Sequence, residues 1–112
     1  MQKPVQITFR DFEPSDAVTE AVHEKAAKLE QFYDRITECH VTIAAPHKHQ
    51  HKGRVFHVRL HLHLPGKEIV VDHEPERSDH EDVYVAIRDA FEAAQRQLKT
   101  YAEKARRDRR HG

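Results

Sequence analysis

From Val55 to Leu64 the chain alternates without a break. Phe56, Val58, Leu60, Leu62 and Leu64 take one parity, and Val55, His57, Arg59, His61 and His63 take the other. Period-two alternation puts the two sets on opposite faces of a strand, one against a core and one toward water. Such a strand needs cover on one face only. The remainder of the chain must therefore supply neighbouring strands of the same kind and helices that are apolar on one side.

Those partners can be read along the chain. Val5, Ile7 and Phe9 alternate with Gln6, Thr8 and Arg10 in a first strand, and Cys39, Val41 and Ile43 alternate with His40, Thr42 and Ala44 in a second, over about residues 38–45. After the long alternating strand, Pro65-Gly66 matches the central pair of a type II turn, where Pro presets the first φ and Gly supplies the positive second one. A fourth strand over about residues 68–72 then returns antiparallel. Between the first two strands, Pro14-Ser15-Asp16 offers a helix cap. Val18, Val22, Ala26, Leu29 and Phe32 or Tyr33 recur at helical spacing, which predicts a helix from about Asp16 to Tyr33. Ser78 and Glu81 have the spacing of a capping box. They open a second helix whose stripe of Tyr84, Ile87, Phe91, Ala94, Leu98 and Tyr101 carries it to at least Lys104. The terminal ARRDRRHG has no stripe and is expected to fray, leaving residues 1–105 as one domain and 106–112 as a basic tail.

The predicted order is β-α-β-β-β-α. It describes an α+β fold, a four-stranded, mostly antiparallel sheet with both helices packed on one face and the other face wet. A length of 112 residues suits one such core. Cys39 is the sole cysteine, so the chain can hold neither an intramolecular disulfide nor a zinc site built from several thiolates, and a reducing, cytoplasmic setting is expected. No apolar run resembles a signal peptide or a membrane span. Catalysis finds little support, because Ser15 and Ser78 sit where helix caps are needed and Cys39 falls on the buried parity of its strand. Glycine occurs only at 53, 66 and 112, so there is no phosphate-binding glycine loop. Neither a cofactor nor a small-molecule substrate is implied.

The zero net charge conceals alternating blocks. Lys and Arg against Asp and Glu number 5 and 8 over residues 1–39, 5 and 1 over 40–68, 2 and 8 over 69–95, and 7 and 2 over 96–112. Two basic segments can thus meet a polyanion despite the neutral total. The first of them overlaps the histidines, six of the chain's eleven lying between residues 47 and 66. Three readings stand side by side there. One is a solvated sheet face. A second is an additional RNA-facing surface made of Lys48, Lys52, Arg54 and Arg59, gaining positive charge below about pH 6.5 as imidazole titrates. The third is a metal site, since His61 and His63 share a strand face about 7 Å apart, with His40 or His57 as a third ligand and His47, His49 and His51 as a separate loop cluster.

At the level of whole motifs, the chain resembles the short ribosome hibernation promoting factors, a family of ribosome-associated translation inhibitors. The likeness rests on the element order, on AVHEKAAKLEQF in the first helix, and above all on HEDVYVAIRDAFEAAQRQLKTY at residues 80–101. HKHQHKGRVFHVRL followed by LPGKEIVV resembles a subgroup of that family. The resemblance implies a fold similar to double-stranded-RNA-binding domains with an added first strand. It also implies binding to the small ribosomal subunit and its rRNA at the decoding region, with mRNA and tRNA positions covered and translation silenced in stress or stationary phase. RNA is the expected partner; DNA and membrane are not. Carried over residue by residue, Lys25 and Lys28 on the first helix and Arg88, Arg96, Lys99 and Lys104 on the second become the phosphate-contacting candidates. The chain departs from the family's more basic habit at Glu92 and Ala93. Because it stops soon after the second helix, it resembles the short forms, which lack the extra domain that pairs two ribosomes. Two rival classes are a histidine-based metal-binding module and a protein-interaction module acting through a sheet edge or the second helix.

Overall fold

A computed structural model describes residues 1–11, 13–45, 48–49, 53–54, 56–73 and 82–111. Its elements are β1 (Gln6–Arg10), α1 (Asp16–Phe32), β2 (Glu38–Ala44), β3 (Lys48–His49), β4 (Gly53–Arg54), β5 (His57–Leu64), β6 (Lys67–His73) and α2 (Val83–His111). The main sheet has the order β1-β2-β5-β6. β1 and β2 run parallel, joined by α1 as a crossover, while β2–β5 and β5–β6 are antiparallel. The segment between β2 and β5, read from sequence as a loop, contains a small ladder that pairs Lys48 with Arg54 and His49 with Gly53.

The alternation in β2 and β5 decides where the core lies. Cys39, Val41 and Ile43 from β2, Val58, Leu60, Leu62 and Leu64 from β5, and Ile69 and Val71 from β6 are buried on one sheet face. α1 covers that face with Val18, Val22, Ala26 and Leu29, and α2 does so with Ala86, Ile87, Ala90, Phe91, Ala94 and Leu98. The opposite face carries His40, Thr42, His57, Arg59, His61 and His63, none of them buried.

Local chemistry sets the ends of the elements. Ser15 caps α1, its Oγ accepting from the Val18 amide at 3.3 Å, and the Tyr33 amide donates to the Leu29 carbonyl at 2.9 Å. Tyr33 rather than Phe32 turns inward, meeting Tyr101 edge-on at 6.3 Å between ring centroids. The Pro65-Gly66 turn is present, with Gly66 at φ 75°, a value L side chains adopt only with strain.

α2 departs from the sequence expectation in three ways. The Ser78–Glu81 capping box lies outside the described residues, and Asp82 caps the helix, its Oδ1 accepting from the Tyr84 amide at 2.8 Å and its carbonyl from Ala86 at 2.9 Å. Tyr84, expected in the stripe, is 46% exposed, whereas Ala86 and Ala90 are buried. Small side chains at 86, 90 and 94 let the helix backbone approach the sheet, so the inward face is rotated away from Tyr84. Finally, the helix continues through residues 106–111, where fraying was expected. Ala and Arg are strong helix formers, and cations in a last turn favour the negative end of the helix dipole.

Candidate nucleic-acid interface

Arg88, Arg96, Lys99 and Lys104 are all exposed on α2. Successive helical residues turn by about 100°, so Lys99 lies ~20°, Arg96 ~80° and Lys104 ~160° round the axis from Arg88. The four cations therefore form a fan and not a single row. On one side, Arg96 and Lys99 line a groove with Glu92 and Gln95, closed by the exposed ring of Phe32 at the end of α1. On the other, Arg96, Thr100 and Lys104 line a longer groove along the sheet edge, with Lys67 and Ile69 of β6 forming its far wall. Arg96 stands on the ridge between the two.

The fan is unevenly neutralised. Arg88 is paired with its neighbour Asp89 at 3.2 Å. Among the described residues, Arg96, Lys99 and Lys104 have no carboxylate within ion-pair reach. Cations left without internal partners on an exposed helix face are free to meet phosphates. On α1, Lys28 is exposed and Lys25 half-buried, and neither lines these grooves. The six candidates thus fall into an α2 cluster and a separate α1 pair. Lys67 was missed by sequence reasoning; it becomes a member of the α2 cluster only because β6 is the edge strand beneath that helix.

The second basic surface looks different in three dimensions. Lys52 lies outside the described residues, and Lys48 and Arg54 are placed only as register partners in the β3–β4 ladder. Arg59 is exposed, but its register partner on β6 is Asp72, whose Oδ1 also meets His57 Nε2 at 2.5 Å. Glu68 reaches His61 at 3.5 Å and His63 at 3.2 Å. Carboxylates from β6 therefore interleave with the imidazoles and lower the attraction of this face for phosphate.

For metal ligation, the third-ligand expectation needs correcting. His40 is the register partner of His61, yet its Nε2 is engaged by Thr8 Oγ1 at 2.9 Å, and it does not join His61 and His63. Glu68 does, through the β5–β6 pairing. Cys39 offers no alternative chemistry, since burial pushes its thiol up to about 12 and keeps it protonated.

What this geometry defines is a small α+β domain whose accessible functional groups are helix-borne cations and strand-borne imidazoles. The family described as Sigma 54 modulation protein / S30EA ribosomal protein matches residues 5–106, and the chain belongs to that family. It is 35% identical over 100 residues to a ribosome hibernation promoting factor of Pseudomonas putida, covering 89% of this chain and 87% of the relative. Its identity to the factor of that name from Azotobacter vinelandii is 32%, with 89% and 83% covered. A ribosome hibernation promotion factor of Deinococcus radiodurans is 28% identical over 107 residues, and the chain spans only 53% of that protein's length. In fold it is similar to a ribosomal subunit interface protein from Coxiella burnetii, with TM-score 0.72, 20% identity, and 88% and 97% of the two chains covered. The N-terminal domain of Thermus thermophilus Protein Y gives TM-score 0.69 at 24% identity, with 90% and 99% covered. No helix among the described residues is long and apolar enough to cross a membrane.

Proposed function

We propose that this chain is a ribosome hibernation factor. It binds rRNA of the small subunit at the decoding region, blocks the mRNA and tRNA sites there, and so inhibits translation under stress in the cytoplasm. The observation that carries this reading is the family match over residues 5–106, joined to relatives named as ribosome hibernation promoting factors. Its mechanism is occlusion, which needs no reacting group.

Arg96, Lys99 and Lys104 supply the main phosphate contacts, with Lys25, Lys28 and Arg88 as flanking ones. A sheet under two helices is a stiff support, and cations held at fixed separations along a helix recognise folded RNA by the shape of its backbone more than by base sequence. Each contact releases condensed counterions, so affinity falls steeply with salt.

Co-sedimentation of the purified protein with small subunits tests the reading. One-to-one, saturable binding that weakens from low to moderate salt, together with inhibition of a cell-free translation reaction, is the expected result. Absence of subunit binding at both salt levels would refute it.

A further inference from the structure

On the open face of the sheet, His61, His63 and Glu68 present three potential ligand atoms that all lie within 4.8 Å of one another. Their convergence follows from register. His63 and Glu68 are directly paired across β5–β6, and His61 lies two residues along the same face of β5. The two imidazole rings stack with centroids 4.4 Å apart and planes 15° from parallel. His61 Nε2 is buried without a hydrogen-bond partner, while Glu68 Oε2 stands 3.5 Å from it and Oε1 stands 3.2 Å from His63 Nδ1.

We propose that His61 Nε2, His63 Nδ1 and the Glu68 carboxylate bind one first-row divalent cation of the zinc class. Zinc bonds of about 2.0–2.1 Å in tetrahedral geometry hold their donors roughly 3.3–3.4 Å apart. Glu68 stands near that spacing from both nitrogens, 3.5 Å through Oε2 and 3.2 Å through Oε1, and turning the two imidazoles out of their stack brings their in-plane lone pairs onto one ion. Bound metal would also give His61 Nε2, which makes no hydrogen bond and has the Glu68 carboxylate only at 3.5 Å, a directly bonded partner. Two imidazoles and a carboxylate select Zn²⁺, Co²⁺ or Ni²⁺ over Mg²⁺ or Ca²⁺, which prefer all-oxygen shells. Because Glu68 is exposed and no described element packs on this sheet face, a fourth position stays open to water or to a donor from another molecule. The site is independent of the α2 cations, which lie on the covered side of the sheet.

The test is titration of the untagged protein with Co²⁺, followed by absorption, and competition with Zn²⁺. His47, His49 and His51 are a rival cluster in the sequence, so the parent for the measurement carries His47→Ser, His49→Ser and His51→Ser. That parent is expected to bind one Co²⁺ per chain with the visible bands of low coordination, to release it to Zn²⁺, and to ignore millimolar Mg²⁺. Adding His63→Ala or Glu68→Gln should weaken binding by more than about 100-fold, exceeding the loss typical of an outer-shell partner. Both positions are on the open face, and unchanged far-UV circular dichroism verifies the fold. Failure of the parent to bind Co²⁺, or equal affinity in the His63→Ala and Glu68→Gln variants, would overturn the proposal.

Discussion

Replacing Arg96, Lys99 and Lys104 together by Gln removes three exposed cations that have no carboxylate partner among the described residues. Gln matches Lys and Arg closely in helix propensity, so α2 should lose only a few tenths of a kcal/mol from weaker dipole complementarity. The effect on subunit binding is far larger. Each phosphate neutralised adds roughly 0.7–0.9 to the slope of log affinity against log salt, so the triple variant should be shallower by ~2–3. Across the fourfold range from about 50 to 200 mM salt, that difference amounts to roughly 20- to 40-fold in the loss of affinity. The assay is equilibrium binding of labelled protein to small subunits at four or five salt concentrations. Lys3→Gln serves as control, since Lys3 lies 3.8 Å from Glu38 and lines neither groove beside α2. A triple variant that binds more weakly but with the parent's slope would show that these side chains shape the surface without touching phosphate. Unchanged affinity and slope would remove α2 from the interface altogether.

Three further outcomes follow from the fold. Leu60 is fully buried at the centre of β5, so Leu60→Ala should cost about 2–5 kcal/mol, read as a lower urea midpoint at unchanged slope. Cys39, with its thiol pushed up to about 12 from an ordinary 9.0, should resist thiol reagents at pH 8 until the protein is unfolded. Its contribution to stability is fully present below pH 9 and declines as pH rises toward 12, because the unfolded thiol ionises first; relative to Cys39→Ala, the slope approaches about 1.4 kcal/mol per pH unit. Ser15→Ala removes the cap on the Val18 amide and should lower stability by about 1 kcal/mol, with Ser15→Asp restoring it.

Much of the fold was legible because burial within an element is a matter of parity or helical phase. The alternation at residues 39–43 and 56–64 predicted which side chains of β2 and β5 are buried, Cys39 included. Ser15 and Pro65-Gly66 marked a cap and a turn through interactions that span only a few residues. α2 was harder to read. Beside the expected Ala94, its inward face includes Ala86 and Ala90, whose burial reflects how closely the helix approaches the sheet, and hydrophobicity counting favoured Tyr84 instead. Counting charges by segment likewise made residues 40–68 look basic, although Glu68 and Asp72 of β6 lie among the histidines and Arg59 of β5.

By itself, then, the sequence determined the four main strands and two helices, the buried faces of α1, β2 and β5, and the family, since these rest on local periodicity and on motifs written contiguously in the chain. Only the tertiary structure decided which side chains meet. Strand order set His40 against Thr8 and left Glu68 to complete the pair of His61 and His63. The edge position of β6 carried Lys67 into the groove of Arg96 and Lys104. Neighbours across a sheet are chosen by register and topology, and one residue of register changes the facing partner while leaving every local pattern in the sequence intact.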